Sequence, residues 1–127
     1  MRPQKAVSDE VYVLKLIVEL LGEECSWQQT FGTLRGEPGM FGVRRMLPVD
    51  GFFPRRNLVV EYHGAGEDAS GAARDRIADW AREHELTLLD IDSEELSHEP
   101  DGRLKRHKDN DLGVLIRRLL DLDLLLK

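Results

Sequence analysis

Apolar residues near the start of the chain recur at the spacing of one helical face. These residues are Val11, Leu14, Ile17, Val18 and Leu21. Ser8 stands before them as a candidate N-cap, and Gly22 follows where a helix commonly ends. The pattern predicts a first helix between Ser8 and Gly22, preceded by a loose arm over residues 1–7.

Two more stretches have helical periodicity. From residue 69 to 84, one face carries Ala69, Ala72, Ala73, Ile77, Trp80 and Ala81. Near the end of the chain, the repeating positions are Leu112, Leu115, Ile116, Leu119 and Leu122. Each pattern predicts an amphipathic helix. The leucines at 119–126 continue the last stripe, which favours the core over the alternative of a dimer interface.

Between the helices, short apolar runs predict strands. Residues 26–36 alternate in polarity, and Gly32, Gly36, Pro38 and Gly39 then interrupt them. The other predicted elements are a strand at 40–50, a turn at 51–57, strands at 58–63 and 86–92, and a glycine-rich loop at 63–71. The run LVVEYH at 58–63 is apolar on both faces, which is typical of a central strand.

The predicted order is helix, two or three strands, helix, strand, helix. This order indicates an α/β fold with a mixed sheet flanked by helices. The chain has 127 residues and no internal repeat or linker, so we expect a single domain over residues 1–127.

The composition indicates the class of protein and its cellular compartment. Hydrophobic residues make up 41% of the chain and charged residues 33%, as in a compact soluble domain. The single cysteine, Cys25, excludes an internal disulfide. No apolar run follows the basic N-terminus, and none approaches the about 20 residues of a membrane span. We therefore expect a cytoplasmic protein without membrane contact.

The net charge of −6 argues against a strongly basic nucleic-acid-binding protein. Basic residues are nevertheless clustered in two segments. One cluster consists of Arg35, Arg44, Arg45, Arg55 and Arg56, and the other of Arg103, Lys105, Arg106, His107 and Lys108. Local basic surfaces of this kind are compatible with DNA binding.

Polar residues end the most hydrophobic strand. Because alternate residues share a face, Glu61 and His63 project together, and a hairpin would bring Asp50 close to Glu61. Two carboxylates suit a hard divalent cation, and a neighbouring histidine can orient or deprotonate water. Taken singly, Asp50 is typical of a turn, Glu61 of a surface or salt-bridged acid, and His63 of a structural histidine. Together they favour a phosphodiesterase site.

The segments VDGFFPRRNLVVEYHG and RDRIADWAREHELTLLDID resemble the Vsr-like branch of the PD-(D/E)xK nucleases. That branch includes very-short-patch repair endonucleases and phage homing endonucleases. The resemblance extends over roughly residues 8–120. It rests on an ordered series: an acid in the first helix, an aspartate before a strand, an apolar strand ending in an acid, a helix carrying Arg-Asp, and a late apolar strand. It implies a restriction-endonuclease-like fold.

The resemblance assigns metal binding to Asp50 and Glu61, and places His63 where many of these nucleases have lysine. Glu10 would match the acid of the first helix, although an ordinary exposed acid is also favoured near a helix N-terminus. Arg74 and Asp75 would match the charged pair of the middle helix, or would belong to a solvated face.

The chain departs from the family after Gly64. Relatives often continue with Gln-His, whereas this chain has Ala65-Gly66-Glu67-Asp68. Glu67 or Asp68 would then replace the missing histidine as metal ligands, or would only cap the next helix. The zinc-binding cysteines of the repair enzymes are absent, so mismatch recognition is not inferred.

The resulting hypothesis is a metal-dependent DNA endonuclease or nickase that uses Mg²⁺ or Mn²⁺. Asp50, Glu61, His63 and Glu10 would form the catalytic site. Phosphates would be contacted by Arg55 and Arg56, or by Arg44 and Arg45.

Several alternatives stay open. The first is a catalytically weak nuclease-fold module that binds DNA or a protein partner, and another is a purely structural α/β protein. RNA is also open as a substrate. Specificity would come from loops such as 32–42 and 97–110, or from a homodimer or another protein partner.

Overall fold

The computed structural model describes residues 8–39, 41–64 and 71–125. They form a mixed α/β fold of three helices, a four-stranded sheet and a two-stranded sheet. The helices are α1 (Asp9–Leu21), α2 (Ala72–Glu83) and α3 (Lys108–Asp121). The strands are β1 (Ser26–Gln29), β2 (Arg35–Pro38), β3 (Arg44–Met46), β4 (Val49–Phe53), β5 (Leu58–His63) and β6 (Thr87–Asp92). Short 3-10 helices at Pro54–Arg56 and Ser93–Glu95 follow β4 and β6.

The main sheet has the strand order β1-β4-β5-β6. β4 pairs antiparallel with both β1 and β5, whereas β5 and β6 are parallel. The parallel pair requires a crossover connection, and α2 lies in it. β2 and β3 form a separate antiparallel hairpin between β1 and β4 in the chain.

Hydrophobic clusters cover both faces of the sheet. On one face, α1 and α3 pack against Leu58, Val60 and Tyr62. On the other face, α2 packs Ile77 and Trp80 against a cluster that includes Val59. β5 is therefore buried on both sides, which confirms its predicted central position.

Local signals located several elements correctly. The Ser8 side chain accepts a hydrogen bond from the Val11 N–H, and Gly22 ends α1 in the left-handed conformation. β6 and α3 lie where the apolar patterns predicted them, although α3 begins earlier, at Lys108.

The predicted boundaries around β4 were wrong. The strand of the main sheet begins at Val49 and includes Gly51, for which the sequence pattern predicts a turn. A Cβ atom at Gly51 would lie 2.7 Å from the Leu14 side chain, so this glycine allows α1 to approach the sheet. The chain turns instead at the 3-10 helix, where Asn57 has a φ of 49°.

The interruption predicted at Gly32 is confirmed by a turn between β1 and β2, but those predicted at Gly36 and Pro38 were wrong, because both residues belong to β2. At the other end of the chain, α3 stops at Asp121, and Leu122, Leu124 and Leu125 pack against the core. The core assignment of these leucines is thereby confirmed. The predicted N-terminal arm at 1–7 and the start of the middle helix at Ala69 lie outside the described residues. In the described part of the chain, no helix is long and apolar enough to cross a membrane.

Candidate active site

Asp50 is the second residue of β4, not the last residue of a strand as predicted. Gly51 pairs with Val60, so the same register continued by one residue places Asp50 opposite Glu61. The Tyr62 N–H donates to Asp50 Oδ2 at 2.7 Å. Burial would raise the pKa of Asp50, but hydrogen bonds from Glu10, Glu61 and the Tyr62 N–H outweigh it and lower the pKa.

Glu61 is a buried acid in the central strand, with only 7% of its surface exposed. Its carboxyl group contacts that of Asp50, which confirms the proximity expected from a hairpin. Burial, the hydrogen bond and negative charge of Asp50, and the charge of Asp90 raise the pKa of Glu61 to about 10. Without a cation, Glu61 therefore holds a proton at neutral pH.

A third carboxylate, Asp90, was not identified from the sequence. The parallel register of β5 and β6 places Asp90 beside Glu61 and Asp92 beside His63. His63 Nε2 contacts Asp90 Oδ1 directly. The only local signal for Asp90 was the polar alternation within the apolar run TLLDID.

Arg74 of α2 closes the site from above the sheet. Its guanidinium donates to Asp90 Oδ2 at 2.9 Å and to both oxygens of Asp92 at 3.2 and 3.3 Å. It therefore partly neutralises the two acids of β6. Its sequence neighbour Asp75 lines a different groove, so the predicted charged pair does not act as one unit.

Glu10 approaches the site from the first turn of α1. Gln28 bridges the two elements: its side-chain amide lies 3.0 Å from Glu10 Oε1 and 3.4 Å from Asp50 Oδ1. Gln28 also has a φ of 50°, a left-handed conformation that costs a non-glycine residue about 1–2 kcal/mol. Strained backbone of this kind clusters at functional sites. No local pattern in the sequence indicated this conformation.

Some of these groups line a cavity of about 270 Å³ between the sheet and α2. Its polar wall contains Asp50, Glu61, His63 and Arg74. Its apolar wall includes Leu47, Pro48, Ala73 and Ile77. Acidic groups thus converge in a partly enclosed space that is large enough for several water molecules.

Within residues 8–39, 41–64 and 71–125, no group of three or more His, Cys, Asp or Glu side chains is placed so that it could hold a metal ion. Two features of the cavity nevertheless suit a hard cation. Glu61 Oε1 is buried and has no hydrogen-bond partner. Asp50 and Glu61 together supply oxygen ligands, and magnesium commonly takes only one or two carboxylates and keeps several waters.

The predicted phosphate-binding arginines lie in two separate places. Arg44 and Arg45 are exposed on β3, two to three residues before the cavity wall at Leu47. Arg55 and Arg56 precede β5, at the end opposite Glu61 and His63. Arg56 also binds Glu23 at 3.2 Å and the Leu124 carbonyl at 2.8 Å. This second pair therefore lies away from the cavity, and phosphate contact by either pair stays a prediction.

The suggested substitute ligands Glu67 and Asp68 lie outside the described residues. No family model, curated protein or solved structure matches the chain. The candidate site therefore rests on its own geometry.

Proposed function

We propose that the chain is a metal-dependent DNA endonuclease or nickase. The observation that carries the proposal is the contact between Asp50 and Glu61 at a cavity that His63 also lines, with Asp90 of the next strand beside Glu61 and in contact with His63. Glu61 is buried and Asp50 and Asp90 are half-buried, and carboxylates this close together repel one another unless a proton or a cation compensates their charge. Their concentration at one end of the central strand supports a site that binds a cation.

The order of elements supports the same class. A helix with Glu10, a strand with Asp50, a strand with Glu61 and a crossover helix with Arg74 follow one another as in the PD-(D/E)xK nucleases that the sequence resembles. Deviations from the family lie in His63, in place of lysine, and in the segment after Gly64.

Asp50 and Glu61 would hold Mg²⁺ or Mn²⁺, which when bound neutralises charge developing on the phosphate and acidifies a bound water. Glu61 must give up its proton to act as a ligand, because metal-binding carboxylates are ionised. Asp50, with its lowered pKa, is ionised already.

His63 would orient the attacking water and accept its proton. The contact between His63 Nε2 and Asp90 holds the ring in place and favours the tautomer with the proton on Nε2, which leaves the lone pair on Nδ1. Arg74 in turn holds Asp90. This is the base-and-orienting-acid arrangement of many hydrolases.

The test is cleavage of supercoiled plasmid in Mg²⁺, Mn²⁺ or EDTA. We expect nicked or linear product only with a metal ion, and none above the EDTA background for Asp50→Asn or Glu61→Gln. Both changes keep side-chain size. Asp121→Asn, an exposed acid at the end of α3, is the control and should cleave normally. A folded wild-type protein that cleaves with neither metal would instead favour the binding-module alternative.

A further inference from the structure

The β2–β3 hairpin exposes apolar side chains to solvent within its described residues, 35–39 and 41–46. Phe41 is 88% exposed, Val43 64% and Met46 44%. They are three of the five exposed large hydrophobic residues in the described part of the chain. Exposed apolar residues grouped in one place indicate an interaction surface.

The same hairpin is basic within an acidic protein. Residues 35–46 contain three arginines and one glutamate, so the segment carries a net charge of +2 in a chain of net charge −6. The Arg35 side chain donates hydrogen bonds to the carbonyls of Gly32 and Arg44, which stabilises the hairpin. The Arg44 and Arg45 side chains are exposed, and neither forms a hydrogen bond or ion pair with other described residues.

The hairpin adjoins the acidic cavity. β3 leads directly into Leu47 and Pro48, which form part of the cavity wall. Arg35 and Arg44 line one side of a second groove, of about 450 Å³, and the α2 side contains Asp75, Asp79 and Glu83 as well as Ala72 and Arg76. Ala72 lies between Gly71 and Ala73, which line the acidic cavity. A long ligand that reaches the cavity along this groove would therefore pass the hairpin.

We propose that the β2–β3 hairpin docks in the major groove of duplex DNA. A two-stranded ribbon fits that groove, and apolar side chains there contact the methyl group of thymine. Arg44 and Arg45 bind backbone phosphates, while Phe41 and Val43 pack against thymine methyl groups. The net positive charge of the hairpin complements the phosphates of DNA, and association with a second copy of the chain is the alternative that sedimentation tests. The choice of DNA rests on the proposed nuclease function, which this inference extends to a mode of substrate recognition.

The experiment compares two duplexes of the same mixed sequence, one with thymine and one with uracil in its place. Uracil lacks only the major-groove methyl group. Binding is measured by fluorescence anisotropy in EDTA, where no cleavage is expected, at several salt concentrations. The variants are Phe41→Ala and Arg44→Ala/Arg45→Ala. Ile116→Ala/Arg117→Ala, on the exposed surface of α3, is the matched control.

We expect the wild type and the control to bind the uracil duplex more weakly, by about fourfold for each thymine methyl group that the hairpin would otherwise cover. Phe41→Ala should reduce this difference and leave the salt dependence unchanged. Arg44→Ala/Arg45→Ala should weaken binding to both duplexes and reduce the slope of log K against log salt by about 2.

Equal binding of both duplexes by the wild type, or hairpin variants that bind DNA like the wild type, would overturn the inference. So would hairpin variants that change only the oligomeric state in sedimentation, because the surface would then join protein chains. Normal hairpin-dependent binding without any cleavage would instead contradict the proposed nuclease and leave this inference standing.

Discussion

Glu61→Gln is expected to stabilise the metal-free protein increasingly as the pH rises, while it abolishes cleavage. The pKa of Glu61 is about 10 in the folded protein, against an ordinary value of 4.5. Between these values the folded protein keeps a proton that the unfolded chain has lost. The free energy of unfolding therefore falls with rising pH, by at most about 1.4 kcal/mol per pH unit for one proton. Glutamine removes this dependence, because it does not titrate.

The effect should be measured by denaturant unfolding in EDTA from pH 5 to pH 9. We expect the stability of the variant relative to the wild type to rise over the whole range, by up to about 5 kcal/mol between pH 5 and pH 9. The lowered pKa of Asp50 acts below its ordinary value of 3.8 and so lies outside this window. Glu24→Gln, an exposed acid after α1, should run parallel to the wild type. A Glu61→Gln curve parallel to the wild type would contradict the account.

The second large effect concerns the contact between His63 and Asp90. If His63 is the general base, His63→Ala should reduce the rate of cleavage by about 10²–10⁴-fold. Asp90→Asn should also reduce the rate of cleavage, because it removes the negative charge that holds the His63 ring in place. Since Asp90 acts through His63, the double variant should be no slower than His63→Ala alone.

Asp92→Asn is the matched control for this cycle. Asp92 also pairs with Arg74 and lies on the same strand as Asp90, opposite His63 in the register, but the proposed mechanism orients the His63 ring through its contact with Asp90. Single-turnover rates should show a small loss for Asp92→Asn. A loss as large as that of Asp90→Asn, or losses for His63 and Asp90 that multiply in the double variant, would contradict the assignment.

Predictions from sequence succeeded where the signal was local. The Ser8 cap, the Gly22 stop and the apolar run of β5 each depend on neighbouring residues, and all three appear in the structure. The prediction failed at Gly51, which looked like a turn residue. Its role is set by Leu14, which lies 37 positions away in the sequence, and no local pattern contains that information.

The residues of the candidate site also differ in whether a local sequence signal identifies them. Glu61 and His63 could be found from alternation within one strand, and Asp50 from its place before the next strand. Asp90 joins them only through the parallel register of β5 and β6. Gln28 lies in an edge strand, where its backbone has a left-handed conformation, and its side chain contacts Glu10 and Asp50. Both depend on contacts between distant segments, and these cannot be inferred from the order of residues.

The most direct test of the central claim is calorimetric titration of Mn²⁺ into the metal-free protein at pH 7, in two buffers with different ionisation enthalpies. We predict one saturable site and the release of a proton, because the cation displaces the proton held by Glu61. Asp50→Asn should bind at least about tenfold more weakly. Equal affinity in the two proteins, or binding without proton release, would contradict a cation site built on Asp50 and Glu61.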